Sequence, residues 1–261
     1  MPAKLKDFFD AALVKALAAD LRRAHPPLDA KAFTRDCMAG LDALELTGRA
    51  WHIAEVMQRH LPQPFSSAMQ VLMDSLGPPL TSTEEFGLQP FFYMPHAFFV
   101  SKYGLDDFEV SMAALHALTQ RFTAEFSIRP FLIRHPARTY ERLVKWASDP
   151  NPHVRRLVSE GSRPRLPWAP RLRSYQEDPA PVLALLERLK DDPERYVQRS
   201  VANNLNDISK DHPDVAVAVA RRWMNPPSEG RAWIVRHALR SLIKRGDLPT
   251  LAIFGVDKPG A

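Results

Sequence analysis

Two carboxylates, separated by about one repeat of the chain, are the residues best placed to do chemistry. Glu160 lies in the last turn of a predicted helix, and Asp207 follows it by 47 residues near the end of another. If these helices stack as neighbours, the two acids occupy equivalent helix ends and face one cleft. Paired acids of this kind serve glycosidic hydrolysis. The alternative is a polar network that only caps the helix ends, and both interpretations stay open at this point.

A rigid, cationic loop follows Glu160 and carries Trp168. Three prolines restrict its backbone, namely Pro164, Pro167 and Pro170. Four arginines surround the tryptophan in sequence, namely Arg163, Arg165, Arg171 and Arg173. An aromatic ring among guanidinium groups suits contact with a nucleobase or a sugar that is framed by phosphates. The alternative is a capped helix whose tryptophan is wedged into the next repeat.

The elements that must position these residues follow a 43-residue period. Asp106, Asp149 and Asp192 recur at that spacing, and each precedes a predicted helix. Further helices are predicted between them, over 138–146, 181–189 and 215–223. Two helices per roughly 40 residues is the period of HEAT-like repeats. Because no alternating strand pattern occurs, we expect an all-α fold, a curved α-solenoid of HEAT-like repeats with a concave basic surface.

The N-terminal part of the chain has apolar residues at helical spacing, interrupted by prolines. This pattern predicts helices over 3–24, 30–46, 50–61 and 66–76. An irregular stretch follows, and then a run of aromatic residues over 91–99 that we interpret as internal packing. We expect one HEAT-like repeat domain over 1–261, with N-terminal helices over 1–104 and the repeats that bear the site over 105–250.

Positive charge is concentrated in the second half of the chain. Residues 129–173 hold 11 Lys and Arg against 3 Asp and Glu, whereas residues 1–100 hold 9 against 11. A polyanion such as nucleic acid would dock on the basic part. Arginines recur in the second helix of successive repeats and so should form a row. The DNA contacts we predict are Arg155, Arg156, Arg163, Arg165, Arg171, Arg173, Arg199, Asn203, Lys210, Arg236 and Arg240.

Several classes of protein are excluded by composition and by missing motifs. The single Cys37 leaves no internal disulfide and no multi-cysteine metal site. No histidine pairs with carboxylates at metal-ligand spacing, and the chain has no nucleotide-binding glycine loop. No apolar run approaches the ~20 residues that span a bilayer. We therefore expect a cytoplasmic monomer that needs no metal or cofactor and has no membrane partner.

Several runs of the sequence resemble the AlkC branch of the bacterial DNA alkylation repair glycosylases. The two central ones are HVRRLVSEGSRPRLPWAPRLR at 153–173 and YVQRSVANNLNDISKDHP at 196–213. The runs FFDAALV at 8–14 and QRFTAEFSIRPFL at 120–132 are similar to the same family. The resemblance covers essentially the whole chain.

The resemblance implies an enzyme that starts base excision repair on double-stranded DNA. Such an enzyme hydrolyses the N-glycosidic bond of cationic N3-alkylated bases, chiefly 3-methyladenine and 3-methylcytosine, without extruding the base into a deep pocket. It places the catalytic carboxylates at Glu125, Glu160 and Asp207, with Trp168 as their aromatic partner. Some members carry an additional immunoglobulin-like domain, which we expect this chain to lack. The alternative function is a non-catalytic HEAT-repeat scaffold, or a sensor that binds alkylated DNA without cutting it.

Overall fold

A computed structural model describes residues 5–84 and 87–256 of the chain. All regular secondary structure within these residues is helical, which confirms the predicted all-α class. The chain forms two compact units, 1–134 and 135–261. The single repeat domain over 1–261, with N-terminal helices over 1–104 and repeats over 105–250, stays a prediction. Every residue of the proposed site except Glu125 belongs to the C-terminal unit.

The N-terminal unit contains seven α-helices in its described residues. They are α1 (Ala11–Ala24), α2 (Ala30–Met38), α3 (Leu46–His60), α4 (Phe65–Asp74), α5 (Met94–Tyr103), α6 (Phe108–Thr119) and α7 (Arg129–Arg134). Short 3-10 turns lie at Leu5–Phe8, Leu41–Ala43 and Gln89–Tyr93.

Two predicted helices of this unit are shorter than the apolar pattern indicated, and local chemistry explains both. Helix α1 begins only at Ala11, because the side chain of Asp10 accepts a hydrogen bond from the Leu13 backbone N–H and caps the helix there. Helix α2 ends at Met38 instead of continuing to residue 46. Gly40 follows in the left-handed conformation at φ 77°, which a helix cannot continue through.

The aromatic run over 91–99 packs internally, as predicted. Phe98 stacks on Trp51 with ring centroids 4.2 Å apart. Phe99 is fully buried and stacks on Phe65 at 5.8 Å. These contacts hold α5 against α3 and α4, so Phe98 and Phe99 stabilise the core of the N-terminal unit, whereas Phe91, Phe92 and Tyr93 are half-buried.

The C-terminal unit contains nine α-helices in its described residues. They are α8 (Pro136–Trp146), α9 (Pro152–Gly161), α10 (Arg173–Glu177), α11 (Ala180–Leu189), α12 (Arg195–Asp211), α13 (Pro213–Trp223), α14 (Glu229–Ala238), α15 (Arg240–Lys244) and α16 (Leu248–Ile253). Helices α8, α11 and α13 lie within two residues of the ranges predicted from the sequence. Helix α12 packs against both α9 and α14, so equivalent helices of successive repeats are neighbours.

The repeated aspartates start helices, as their spacing predicted. Asp149 accepts a hydrogen bond from the Asn151 backbone N–H at 2.8 Å, and Asn151 in turn caps α9 by accepting from the His153 N–H at 2.9 Å. Asp192 plays the matching part before α12, where it accepts from the Glu194 N–H at 2.9 Å. The repeats at Asp149 and Asp192 therefore turn into their second helices through the same kind of aspartate contact. No helix in the described part of the chain is long and apolar enough to cross a membrane.

Candidate active site

Glu160 and Asp207, the two acids predicted to lie together, are joined by one arginine. The Arg163 guanidinium donates through Nη1 to Glu160 Oε1 at 2.6 Å and through Nε to Asp207 Oδ2 at 2.8 Å. All three side chains are buried, with 6% of Glu160, 1% of Asp207 and 8% of Arg163 exposed. The predicted carboxylate pair is thus an anion–cation–anion bridge between α9 and α12.

Both acids lie near helix C-termini, and this position explains why they need a cation between them. Glu160 is the next-to-last residue of α9, and Asp207 lies in the last two turns of α12. Free backbone carbonyls and the helix dipole make such an end unfavourable for an anion. Arg163 follows the end of α9 directly and supplies the compensating positive charge. The position of Glu160 at a helix C-terminus therefore indicates that a cation lies nearby. Sequence spacing alone does not identify which cation it is.

Glu160 has further partners that keep it ionised. The Ser200 hydroxyl donates to Glu160 Oε2 at 2.6 Å, and Arg156 Nη2 lies 3.9 Å from Oε1. Burial alone would raise the pKa of Glu160, but the charges of Arg156 and Arg163 and these hydrogen bonds outweigh burial, so its pKa is lowered. At neutral pH Glu160 is an anion and has no proton to donate.

Asp207 also has a second cationic partner. Lys210, one turn later on α12, donates through Nζ to Asp207 Oδ1 at 2.9 Å. Both carboxylate oxygens of Asp207 therefore accept a charged hydrogen bond, one from Arg163 and one from Lys210. Lys210 was predicted to contact DNA, and in this structure its ammonium group lies on the carboxylate while its side chain remains partly exposed.

Trp168 is the most unusual residue of the loop that follows the bridge. Its side chain is 81% exposed, and its backbone φ is 65°. It is the one residue other than glycine with positive φ among those the structure describes. A bulky side chain in the left-handed region costs on the order of 1–3 kcal/mol and persists only where its surroundings impose it. The predicted alternative, a tryptophan wedged into the next repeat, does not describe this ring.

The ends of the loop are fixed beside the bridge. The Leu172 N–H donates to the Pro164 carbonyl at 3.2 Å and closes the loop. Arg165 holds Asp211 through two hydrogen bonds, from Nε at 2.8 Å and from Nη2 at 2.5 Å. Asp211 lies one turn after Asp207 on α12, so the same helix anchors the bridge and the loop that presents Trp168.

Glu125, the third acid implied by the family resemblance, belongs to the N-terminal unit. It lies in the turn between α6 and α7 and is buried, with 8% of the residue exposed. Glu125 is therefore not a surface acid. The bridge joins Glu160 to Asp207, and a role for Glu125 in the same reaction stays a prediction.

Arg155 stabilises the stacking of the repeats. Its Nε and Nη2 donate to the two carboxylate oxygens of Asp192 at 2.5 and 3.1 Å. Its Nη1 donates to the carbonyls of Asp149 and Pro150 at 2.9 and 3.0 Å. These bonds join the two repeated Asp-Pro turns to each other, so the guanidinium that we predicted to contact DNA is engaged within the protein.

The remaining predicted DNA contacts differ in how far they are engaged. Arg240 and Asn203 bind each other, because the Arg240 Nη2 donates to the Asn203 Oδ1 at 3.1 Å. Arg156 is half-buried and lies over the ring of Tyr196. Four arginines are exposed and form no ion pair with the described acids, namely Arg171, Arg173, Arg199 and Arg236. These four are the predicted contacts best placed to meet a phosphate.

Some polar residues of α12 cap helix ends, as the alternative interpretation proposed. Asn204 donates through Nδ2 to the Ser159 carbonyl at 2.7 Å, and Asn206 donates to the Ala238 carbonyl at 2.6 Å. Sequence reasoning missed Ser200, Asn204 and Asp211 as partners in this region. The signal that could have found two of them is spacing, since Asn204 and Ser159 lie 45 residues apart and Arg165 and Asp211 lie 46 apart. Both separations are close to one repeat.

A metal centre finds no support in the described residues. Within 5–84 and 87–256, no group of three or more His, Cys, Asp and Glu side chains could hold a metal ion. Cys37 is buried, and burial raises the pKa of its thiol to about 12, so it carries no thiolate at neutral pH.

Comparison with known proteins places this geometry in a family. Residues 121–242 match a model of the DNA alkylation repair enzymes. The protein YhaZ of Bacillus subtilis (strain 168) is 38% identical over 259 residues, which cover 98% of this chain and 69% of that protein. The fold also matches the Pseudomonas fluorescens alkylpurine DNA glycosylase AlkC, solved bound to DNA containing an abasic site analog. That match has a TM-score of 0.89 at 38% identity and covers 99% of this chain and 69% of that one. The chain belongs to the AlkC branch of the DNA alkylation repair enzymes.

Proposed function

We propose that this protein is an alkylpurine DNA glycosylase that hydrolyses the N-glycosidic bond of cationic N3-alkylated bases in double-stranded DNA. The observation that carries the proposal is the Glu160–Arg163–Asp207 bridge, which directly precedes the loop that carries the exposed and conformationally strained Trp168. Its family and its similarity to the DNA-bound AlkC support the same activity. We further propose 3-methyladenine and 3-methylcytosine as substrates, and attack without extrusion of the base.

The electrostatics of the bridge fit a leaving group that needs no protonation. Because the pKa of Glu160 is lowered, this carboxylate cannot act as a general acid at neutral pH. A base alkylated at N3 is already cationic, so the bonding electrons can leave with it and neutralise it. What the reaction then needs is negative charge near the sugar, where positive charge develops as the bond breaks. We assign this role to the carboxylates of Glu160 and Asp207.

The remaining steps require a water molecule and a surface for the sugar. Water adds its oxygen to C1′ as the bond to the base breaks, and a carboxylate takes the proton that the water loses before passing it to solvent. An exposed indole can pack against the deoxyribose and lie close to the developing cation. We assign this position to Trp168 and the charge-stabilising role to Asp207 and Glu160.

Release of base from alkylated DNA tests the proposal. Purified protein is incubated with methylated duplex DNA, and released 3-methyladenine and alkali-labile abasic sites are measured. Release of both is expected. Binding of methylated DNA without release would indicate a lesion sensor, and neither binding nor release would indicate a scaffold, so either result would contradict the proposed enzyme.

The variant Asp207→Asn tests the role of the bridge. It keeps the shape of the side chain and removes its charge, so single-turnover excision should fall by roughly two to three orders of magnitude. Affinity for DNA with an abasic-site analog should change little. Asp191→Asn is the matched control, because Asp191 is exposed and binds Arg231 through a comparable pair of hydrogen bonds at 2.5 and 2.7 Å. Equal excision by the two variants would refute the role of Asp207.

A further inference from the structure

An arginine of α12 stacks on a tryptophan of α14, and neither residue belongs to the bridge. The guanidinium carbon of Arg195 lies 4.2 Å from the ring centroid of Trp233. Arg195 is the first residue of α12 and is exposed, whereas Trp233 lies on α14 and is half-buried. The contact therefore links equivalent helices of successive repeats at their solvent-facing side.

The tryptophan ring is fixed from a second direction. His237, one turn later on α14, stacks on Trp233 with ring centroids 5.0 Å apart and an interplanar angle of 8°. Its Nε2 lies 3.3 Å from Asn203 Oδ1, which also accepts a hydrogen bond from Arg240. The ring that supports Arg195 is thus tied back to α12 two turns further along. Arg195 and His237 already stack on the indole of Trp233. This indole is therefore better suited to position Arg195 than to stack on a nucleobase.

Arg195 also continues a row of unneutralised cations. Arg195, Arg199 and Asn203 are spaced by four residues and so lie along one face of α12. Within the described residues, neither Arg195 nor Arg199 forms an ion pair with a carboxylate, and the same holds for Arg236 on α14. Arg155 and Arg165, in contrast, each bind an aspartate. Like charges in a row without acids repel one another, so a bound anion would stabilise this face.

We propose that Arg195, held in place by Trp233, binds a phosphate of the DNA backbone, and that Arg199 and Arg236 bind adjoining phosphates. A guanidinium stacked on an aromatic ring keeps its N–H edge free for a bidentate contact with phosphate and loses little side-chain freedom on binding. The proposal rests on the proposed function, because it names the polyanion as DNA. It assigns Trp233 as a positioning residue and gives neither residue a part in breaking the bond.

The salt dependence of DNA binding tests the phosphate contact. A fluorescent duplex containing an abasic-site analog is titrated with the protein from about 50 to about 200 mM NaCl. Arg195→Gln should weaken binding and lower the slope of log Kd against log salt by about one. Arg188→Gln, the control, removes the same charge from an exposed position on α11 and should leave the slope unchanged. Equal slopes for the wild type and Arg195→Gln would overturn the proposal.

Variants of the tryptophan test the positioning role. Trp233→Leu should reproduce most of the loss seen with Arg195→Gln, and the double variant should add little to either. Trp233→Phe keeps an aromatic face and should retain most of the affinity. A thermal unfolding curve accompanies each variant. If Trp233→Leu lowers the Tm but binds DNA with the wild-type slope, the stack is a packing contact and the assignment is wrong.

Two further measurements separate this inference from the proposed function. In Arg195→Gln, the protein concentration that gives half-maximal single-turnover excision should rise with the Kd, whereas Arg188→Gln should leave it at the wild-type value. If the wild type shows no excision but Arg195→Gln still lowers the slope, the glycosylase proposal fails and the phosphate contact stands. Poly-glutamate serves as a second probe. If Arg195→Gln loses binding to poly-glutamate but not to DNA, the surface of Arg195, Arg199 and Arg236 binds an acidic protein, and the DNA assignment is overturned.

Discussion

The variant Arg163→Gln removes the cation from the bridge and should be the most destabilising single change in the site. Both carboxylates that Arg163 binds are buried, at 6% and 1% exposed. Removing one partner of a buried ion pair typically costs ~3–5 kcal/mol, because a buried charge is left uncompensated. Asp207 keeps Lys210 and Glu160 keeps Ser200, so we expect the lower end of that range, about 3 kcal/mol. For a chain of this length the Tm should fall by roughly 10 °C.

The loss should depend on pH in a defined direction. The pKa of folded Glu160 is lowered, so its contribution to stability is present above the pKa of unfolded glutamate, ~4.3, and is lost as pH falls through the folded pKa. Without Arg163, the effect of burial is opposed less and the pKa of Glu160 rises. The free-energy difference between wild type and variant should therefore be largest near pH 7 and smaller near pH 4.

Urea unfolding at the two pH values measures both effects. Arg165→Gln is the matched control, because Arg165 binds Asp211 in a partly exposed pair two residues away and its loss should cost no more than ~1 kcal/mol. The double variant Glu160→Gln/Arg163→Gln should recover part of the stability, since the anion at the end of α9 is then gone. If Arg163→Gln lowers the free energy of unfolding no more than Arg165→Gln does, or lowers it equally at both pH values, Arg163 does not compensate the two buried carboxylates.

Three further changes should separate stability from activity. Trp168→Gly removes the strain of a tryptophan at φ 65° and should leave the Tm unchanged or raise it, while excision falls; a fall in both would show that the ring packs in the fold. Arg155→Gln breaks the contacts with Asp192 and should lower the Tm without lowering the salt slope of DNA binding. A lower slope would show that Arg155 contacts a phosphate. Single-turnover excision on bound DNA should stay constant from pH 8 down to about 5, because the lowered pKa keeps Glu160 ionised; a rise toward acid pH would show that a protonated carboxylate donates to the base.

Much of the helical pattern was predictable because prolines and repeated aspartates mark the helix starts. Pro136 and Pro213 occupy the first positions of α8 and α13, where a missing N–H costs nothing. The errors arose where a side chain or a glycine ends a run that its apolar spacing would continue. Asp10 delays the start of α1 and Gly40 ends α2, and an apolar pattern contains no information on either effect.

The carboxylate pair was predictable because a repeat converts sequence spacing into spatial neighbourhood. Glu160 and Asp207 lie about one period apart, and stacking of α9 and α12 places both on Arg163. Arg163 itself was predicted to contact DNA, since in sequence it does not differ from the other arginines of its loop. Only the fold decides that Arg163 is buried between two acids while Arg171 and Arg173 are exposed. The number of arginines can be read from the sequence, but which of them form ion pairs with acids depends on tertiary contacts.

Two unfavourable features of the C-terminal unit lie within one short segment. Glu160 places a buried anion at a helix C-terminus, and eight residues later Trp168 holds a large apolar ring in solvent with a left-handed backbone. Neither feature improves packing, and simpler residues would stabilise the same fold at both positions. Costs of this kind persist where the strained group is needed for binding or chemistry. The start of α9, by contrast, has an ordinary cap at Asn151 and buries Val154 and Leu157. Strain and charge therefore indicate the same segment. The strain depends on backbone geometry, whereas the charge pattern can be obtained from the sequence, so the two observations are independent.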